Sequence, residues 1–416
     1  MQTLRAVNII LIVLLFLCNL YQIAYIPVSF FHRERKHRKE VIHRFAVLIA
    51  ARNEEKVIGN LIDSINSQTY PSECIDIYVC ADNCTDDTER VASERGAAVY
   101  VRTNKEQVGK GYALNYLIKQ IKLGIGKTYD GYIVLDADNI IEENFVSELN
   151  RVFSDGYEVV TSYRNSKNYG DNWISAGYGL WFLREAKFLN EARMALGHSC
   201  AVSGTGFLFS ERVLNDFGGW NFFLLTEDIE FTIENVTRGR NIGYAKHAVL
   251  YDEQPTRFTQ SWNQRLRWSR GYIQVFTRYF FRLLGGSFMG SFSCFDMMMN
   301  IMSSAVITAV GAITNAVTVI YILATGGTLP SIGVMLLEAA FGIYMSMLAL
   351  GLLTTVSEWR NIHCTPAKKI LYAFTFPFFM LTYVPICVVS LFAKVGWKPI
   401  LHGRSITLRE IKKEAE

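Results

Sequence analysis

Charged residues make up only 19% of the 416-residue chain, below the roughly 25% usual in soluble domains. The shortage is local. No charged residue stands between Ala6 and Phe31, and none between Met297 and Leu337, while the middle of the chain reads like an ordinary soluble protein. That distribution excludes a purely soluble enzyme, a disordered chain and a polytopic carrier made only of helices. Cys-x-x-Cys spacing is also missing: Cys18, Cys74, Cys80, Cys84, Cys200, Cys294, Cys364 and Cys387 are scattered, three of them in or beside apolar segments. This argues against a zinc site or a disulfide framework and for free thiols in a reducing compartment. No Ser/His/Asp order suggests a hydrolase, and His198, His247 and His402 have no helical partner for a metal, so they read as non-catalytic. The net charge of +4 is too small to argue for a nucleic-acid partner.

What is present reads as a membrane-anchored cytoplasmic domain. The run at 6–31 exceeds the about 20 residues needed to cross a bilayer. Arg33, Arg35, Lys36, Arg38, Lys39 and Arg44 follow it, so by the positive-inside rule that flank is cytoplasmic. From Phe45 to about Asn165 short apolar runs alternate with helical patterns. Strands are expected at Phe45–Ala51, Ile75–Ala81, Ala97–Val101 and Tyr132–Leu135, which implies βαβ units and a mostly parallel sheet. Such sheets bind ligands beyond the carboxyl ends of their strands. Downstream, a helix is expected over Trp173–Met194 and a strand over Val202–Phe209. Residues 259–295 read as basic, aromatic helices of the membrane interface, 296–358 as two spans, and 394–416 as a cytoplasmic tail. The segment 368–393 carries Pro377 and Pro385, and its basic sequel argues for a broken or interface-lying helix.

Several residues carry chemistry, each with a plainer reading beside it. Asp136-x-Asp138 at a strand end suits a hard cation completed by phosphate oxygens and water, or merely caps the next helix. Thr226-Glu227-Asp228 reads as a helix N-cap or as the site of a general base. Gln264-x-x-Arg267-Trp268 offers a phosphate-gripping guanidinium and a flat face for a sugar, or an interfacial helix with snorkelling Arg and belt Trp. Lys110, near a helix start, neutralises a phosphate or is simply solvated.

Taken in order, Asn53-Glu54-Glu55, Asp82-x3-Asp86, Lys110 before Leu114-Asn115, Asp136-x-Asp138, Thr226-Glu227-Asp228 and Gln264-x-x-Arg267-Trp268 resemble one known set. The set resembles that of the processive membrane-integrated family-2 inverting glycosyltransferases, such as cellulose, hyaluronan, chitin-oligosaccharide and poly-N-acetylglucosamine synthases. The resemblance covers Phe45 to about Tyr279. It implies an α/β GT-A-like fold, a Rossmann-like mixed sheet over 45–258, joined to α-helical transmembrane segments. It further implies polymerisation of UDP-glucose or UDP-N-acetylglucosamine into a β-linked glycan exported across a bacterial-type plasma membrane. The alternative is one sugar added to a membrane lipid.

Carried over by residue, the resemblance places Glu54 and Asp82 around the uridine and Lys110 at the diphosphate. Asp136 and Asp138 would hold the nucleotide with Mg²⁺ or Mn²⁺, and Asp228 would be the base. Gln264, Arg267 and Trp268 would close over the diphosphate and border the acceptor, whose pocket includes Ser203, Gly204, Thr205 and Glu227. Trp397, followed by His402-Gly403, resembles a gating segment. The implied partners are the donor, the growing glycan and the bilayer; no nucleic acid is implied and no protein partner is named. Two departures stand out. Ala50 and Arg52 replace the usual Pro-x-Tyr, and Ile400 or Leu401 stands where many relatives place Thr.

Overall fold

The seven residues Phe45–Ala51 are apolar without interruption and, but for Ala50, buried, so this strand has no solvent face. Its side chains alternate between two cores: Ala46 and Leu48 enter one, Phe45, Val47 and Ile49 the other. The computed structural model describes residues 2–33, 37–124, 126–302, 308–326, 329–396 and 402–413. It contains strands β1 (Phe45–Ala51), β2 (Ile75–Asp82), β3 (Ala98–Arg102), β4 (Gly131–Asp136), β5 (Ile140–Ile141), β6 (Val159–Ser166), β7 (Phe207–Ser210) and β8 (Ile242–Asp252). Helices α1 (Gln2–Phe31), α2 (Ile58–Asn66), α3 (Thr88–Glu94), α4 (Lys110–Gly124), α5 (Phe145–Ser154) and α6 (Trp173–Arg184) precede a π turn, Glu185–Asn190. After it come α7 (Glu191–Leu196), α8 (Glu211–Asp216), α9 (Glu227–Thr237), α10 (Phe258–Phe288) and α11 (Phe292–Met302). The last are α12 (Thr308–Ala324), α13 (Leu329–Ser357), α14 (Pro366–Leu381), α15 (Tyr383–Phe392) and α16 (Leu408–Lys413).

The strands form one sheet in the order β3-β2-β1-β4-β7-β6-β8-β5. Pairing is parallel from β3 to β4, then antiparallel at β4/β7 and β7/β6, parallel at β6/β8 and antiparallel at β8/β5. The mostly parallel sheet expected from the alternation therefore ends at β4, and beyond it the sheet is mixed. The reversal has a consequence for chemistry. Because β7 runs against β4, the loop before β7 reaches the same edge as the carboxyl ends of β1, β2, β4, β6 and β8. Asp82, Asp136, Arg164 and Asp252 all sit at that edge.

The expected strand Val202–Phe209 begins only at Phe207. Gly204 and Gly206 adopt φ of 79° and 66°, which breaks extended structure. A Cβ at Gly206 would also lie 1.9 Å from Leu250 Cδ2. The expected helix Trp173–Met194 forms, but it passes through the π turn and continues to Leu196.

The apolar segment at 366–392 is broken at Thr382 between α14 and α15. Pro377 lies inside α14, whereas Pro385 has no N–H to offer the carbonyl of Leu381, where α14 ends. Arg265 of α10 supports the break: its Nη1 donates to Phe379 O (3.1 Å) and Thr382 Oγ1 (2.6 Å). Arg270 donates to the carbonyls of Ser390 and Leu391 at the end of α15. The Arg-rich helix is thus locked onto the apolar pair. At the other end of the chain, Arg193 and Asp296 form a fully buried ion pair (2.7 Å). The hydroxyls of Tyr21 and Tyr25 donate to the same carboxylate at 2.8 and 3.0 Å, so α1 is docked to the sheet domain through α7 and α11. Among the described residues, Ala340–Ser357 and Pro366–Phe392 are long and apolar enough to cross a membrane, and Phe16–Phe31 and Ala309–Ala324 are shorter apolar helices.

Candidate active site

A cavity of about 220 Å³ opens at the sheet edge where the strand ends converge. Its lining includes Glu54, Asp82, Lys110, Asp136, Asp138, Ser203, Gly204, Glu227, Asp228, Gln264, Arg267 and Trp268. Residues far apart in the chain thus share one space. Thr205 does not line it. That side chain is buried behind the wall, where its hydroxyl accepts the Asp136 N–H (2.9 Å) and donates to Asn139 Oδ1 (2.6 Å). Trp397 lies outside the described residues, as do Ile400 and Leu401.

Each wall is held by identifiable contacts. After β1, Asn53 takes a left-handed φ of 59° and accepts the Thr85 N–H at 2.8 Å. The turn aims Glu54 inward, with its N–H on Thr88 Oγ1 (2.8 Å). Asp82 receives Arg102 Nη1 at 2.5 Å, and both side chains are buried. Lys110, first residue of α4, bonds the Asp136 carboxylate and donates to the carbonyl of Gly204 at 2.8 Å. Asp138 Oδ2 accepts the Glu253 N–H (2.9 Å), and Lys167 Nζ donates to the Asp138 carbonyl (2.8 Å).

Asp228 occupies the first turn of α9, where the helix dipole favours a carboxylate, and its Oδ2 accepts the Gly204 N–H at 2.7 Å. Burial nevertheless raises its pKa above the usual carboxylate range. Burial and the neighbouring Asp228 push Glu227 up to about 7. Thr226 stands at the N-cap position but makes no capping bond, and its Oγ1 is buried without a partner. Thr226 thus opens α9 from the N-cap position, with Glu227 and Asp228 in the first turn, but without a side-chain capping bond. From α10, Arg267 Nη1 donates to Leu225 O (3.1 Å), and Gln264 Oε1 is buried without a partner at the cavity wall. Trp268 meets Tyr178 and Phe182 edge-on at 5.6 and 6.2 Å.

The sequence reading set His402 aside as non-catalytic and placed it only in the gating-like segment, whereas the structure puts it in the cavity wall. Its Nδ1 lies 3.0 Å from Glu54 Oε1, and its Nε2 lies 3.9 Å from Asp138 Oδ2. Burial works against the imidazolium, but Asp138 and Glu54 outweigh it and raise the His402 pKa to about 10. Burial raises Glu54, while it is outweighed at Asp138, which His402 and Lys167 hold below the usual range. Arg164 was also missed; it grips Asp252 through Nε (2.8 Å) and donates to the Ser203 carbonyl (2.9 Å). No signal in the sequence marks a contact between positions 348 residues apart.

Asp136 and Asp138 are the residues that fit a divalent cation. Among the described residues no group of three or more His, Cys, Asp and Glu side chains forms a closed cage. Two carboxylates in the wall of a polar cavity would instead suit an ion whose remaining ligands are phosphate oxygens and water.

Residues 43–271 match the model of the family described as "Glycosyltransferase like family 2". The chain is 27% identical over 268 residues to a probable glycosyltransferase, YdaM, of Bacillus subtilis, covering 60% of each chain. It is 25% identical over 283 residues to β-monoglucosyldiacylglycerol synthase of Nostoc, covering 65% of this chain and 58% of that one. Over 239 residues it is 25% identical to poly-β-1,6-N-acetyl-D-glucosamine synthase of Staphylococcus aureus, covering 56% of each. The matched part thus spans less than two thirds of these relatives. In three dimensions the chain resembles the mannosyltransferase PcManGT of Pyrobaculum calidifontis, solved with GDP-Man and Mn²⁺. The TM-score is 0.62 at 16% identity, covering 94% of this chain and 99% of that one, a likeness of fold.

Proposed function

The chain belongs to the glycosyltransferase-like family 2, and from that membership we propose that it is an inverting, processive enzyme polymerising a UDP-sugar into a β-linked glycan. The observation that carries the reading is the convergence of Asp136, Asp138, Asp228 and Arg267 on one cavity. Glu54 and Asp82 border the nucleoside, and Lys110, Gln264 and Arg267 meet the diphosphate. The unpartnered Gln264 Oε1 supports a ligand there. Mg²⁺ or Mn²⁺ at Asp136 and Asp138 supplies charge neutralisation of the diphosphate when bound.

Asp228 removes the proton from an acceptor hydroxyl, whose oxygen forms a bond to the anomeric carbon. The bond from that carbon to the diphosphate breaks, and UDP leaves with the electron pair. Arg267 and Lys110 stabilise the charge that develops on it. A single displacement converts an α-linked donor into a β-linkage. Ser203, Gly204, Glu227 and Trp268 border the acceptor, and Thr205 acts from behind by fixing Asp136. The catalytic part is cytoplasmic, in a bacterial-type plasma membrane crossed more than once. The apolar helices that α10 grips through Arg265 and Arg270 support placing the site against the bilayer.

A second reading, transfer of one sugar to a lipid, is favoured by the likeness to β-monoglucosyldiacylglycerol synthase. Incubation of the purified chain with radiolabelled UDP-glucose and UDP-N-acetylglucosamine separates the two. A glycosidase-sensitive polymer is the expected product. A single organic-soluble glycolipid overturns processivity, and no UDP release from any donor overturns the enzyme.

A further inference from the structure

Resting on that reading, we infer that Glu185 is an acceptor-binding residue: its carboxylate receives a second hydroxyl of a sugar acceptor, beside the hydroxyl that Asp228 deprotonates. Glu185 opens the π turn and lines the same cavity as Asp228. Turns of this kind are rare and recur at functional sites. The two carboxylates are tied to adjacent residues of one loop. Ser203 Oγ donates to Glu185 Oε2 at 3.4 Å, and the Gly204 N–H donates to Asp228 Oδ2 at 2.7 Å. The two anchoring residues are consecutive in the chain, and both acids line the same cavity.

Glu185 has capacity to spare. An ionised carboxylate has about four acceptor positions, and one long bond from Ser203 engages only one of them. Three guanidinium groups stand near it, but each is committed elsewhere: Arg164 to Asp252, Arg184 to Gln22 and Arg193 to Asp296. Among the described residues Glu185 makes no ion pair within 4.0 Å. One helical turn before it, Trp181 lines the cavity too, and i, i+4 residues share a face. Arg184 lies 5.0 Å from the Trp181 ring and covers part of it. An aromatic plane one turn from an unpaired carboxylate matches a sugar ring, whose apolar face stacks while its hydroxyls donate. Diacylglycerol offers a single hydroxyl, so it has nothing left for Glu185 once Asp228 is engaged.

The test uses the full chain in detergent, with the wild type and Glu185→Gln compared. Donors are UDP-glucose and UDP-N-acetylglucosamine; acceptors are cellobiose, N,N′-diacetylchitobiose and dioleoylglycerol. UDP binding and thermal unfolding are measured in parallel. The expected result is an acceptor KM for the disaccharide raised about tenfold in Glu185→Gln. Donor KM, UDP affinity and unfolding temperature stay within twofold or a few degrees of wild type, and Glu185→Asp recovers part of the loss. Unchanged disaccharide KM in a wild-type-active background overturns the assignment alone. Equal losses in UDP binding and unfolding temperature mark a structural role and overturn it as well. A wild type that glycosylates only dioleoylglycerol overturns processivity and this inference together.

Discussion

Gly271 sits one turn after Arg267 on α10, where the helix crosses the start of α9. A Cβ built there would lie 2.5 Å from Thr226 Cγ2 and 2.6 Å from Thr226 Oγ1. Ordinary carbon contacts begin near 3.5 Å, so Gly271→Ala forces α10 and α9 apart by about 1 Å. Overpacking of this size costs about 1–3 kcal/mol. Alanine returns about 1 kcal/mol through its better helix propensity, leaving a net loss of about 0–2 kcal/mol. Activity has no such compensation. The displaced elements carry Gln264 and Arg267 on one side and Asp228 on the other, and a 1 Å misplacement costs about 100-fold in rate. The expected result is a fall of about 100-fold in UDP release with nearly unchanged thermal unfolding. Thr226→Ala removes both clashing atoms and leaves Cβ at 3.0 Å as the nearest neighbour. Thr226 Oγ1 has no hydrogen-bond partner to lose, so the single variant keeps most activity. The double variant should recover at least tenfold over Gly271→Ala, a coupling of about 1.4 kcal/mol or more. Full activity in Gly271→Ala, or a double variant no better than the single, refutes the claim that this crossing sets the site's geometry.

Asp228→Asn keeps the shape and the acceptor for the Gly204 N–H but removes the base; steady-state UDP release should fall about 10²–10⁴-fold while UDP binding by calorimetry is retained. On the proposed mechanism Asp228 acts ionised, and burial raises its pKa, so kcat should decline as pH falls through a value above the ordinary carboxylate range, an acidic limb that a pH–rate profile detects. Arg193→Met leaves Asp296 buried without its cation and should cost about 3–5 kcal/mol, read as a lowered unfolding temperature. Chelation with EDTA should abolish both turnover and UDP binding, and Mn²⁺ or Mg²⁺ should restore them in the same calorimetric titration.

The first half of the sheet was legible because its strands are continuous apolar runs. Phe45–Ala51 forms with the expected ends, and Ile75 and Tyr132 mark the next strands within a residue. Legibility fails where the fold departs from βαβ succession. Ile140–Ile141 is too short for any periodic signal, and Val202–Phe209 looks extended until two left-handed glycines are seen. The site shows the same division. Asp136, Asp138, Asp228 and Arg267 were readable because each belongs to a short motif. His402, Arg164, Glu185 and Lys167 are isolated residues brought in by tertiary structure, and Asp296 stands one position before a long apolar run.

Charge explains why those isolated cations matter. The cavity is lined by Glu54, Asp82, Asp136, Asp138, Glu185, Glu227, Asp228, Asp252 and Glu253. Facing them are Arg52, Lys110, Arg164, Arg267 and His402. A wall with this acid excess repels a nucleotide diphosphate. Arg164 and Arg102 are already taken by Asp252 and Asp82, and His402 by Glu54, so none is available to a phosphate without breaking a buried pair. Of the remaining lining cations, Lys110 is bonded to Asp136 and Arg267 donates to the Leu225 carbonyl. On the proposed reading, a divalent ion held by Asp136 and Asp138 would offset this acid excess and compete with Lys110 for the Asp136 carboxylate. A cation requirement on that reading would fall on donor binding as well as on turnover. Tight UDP binding in the presence of chelator would show that the excess of acid is neutralised in some other way.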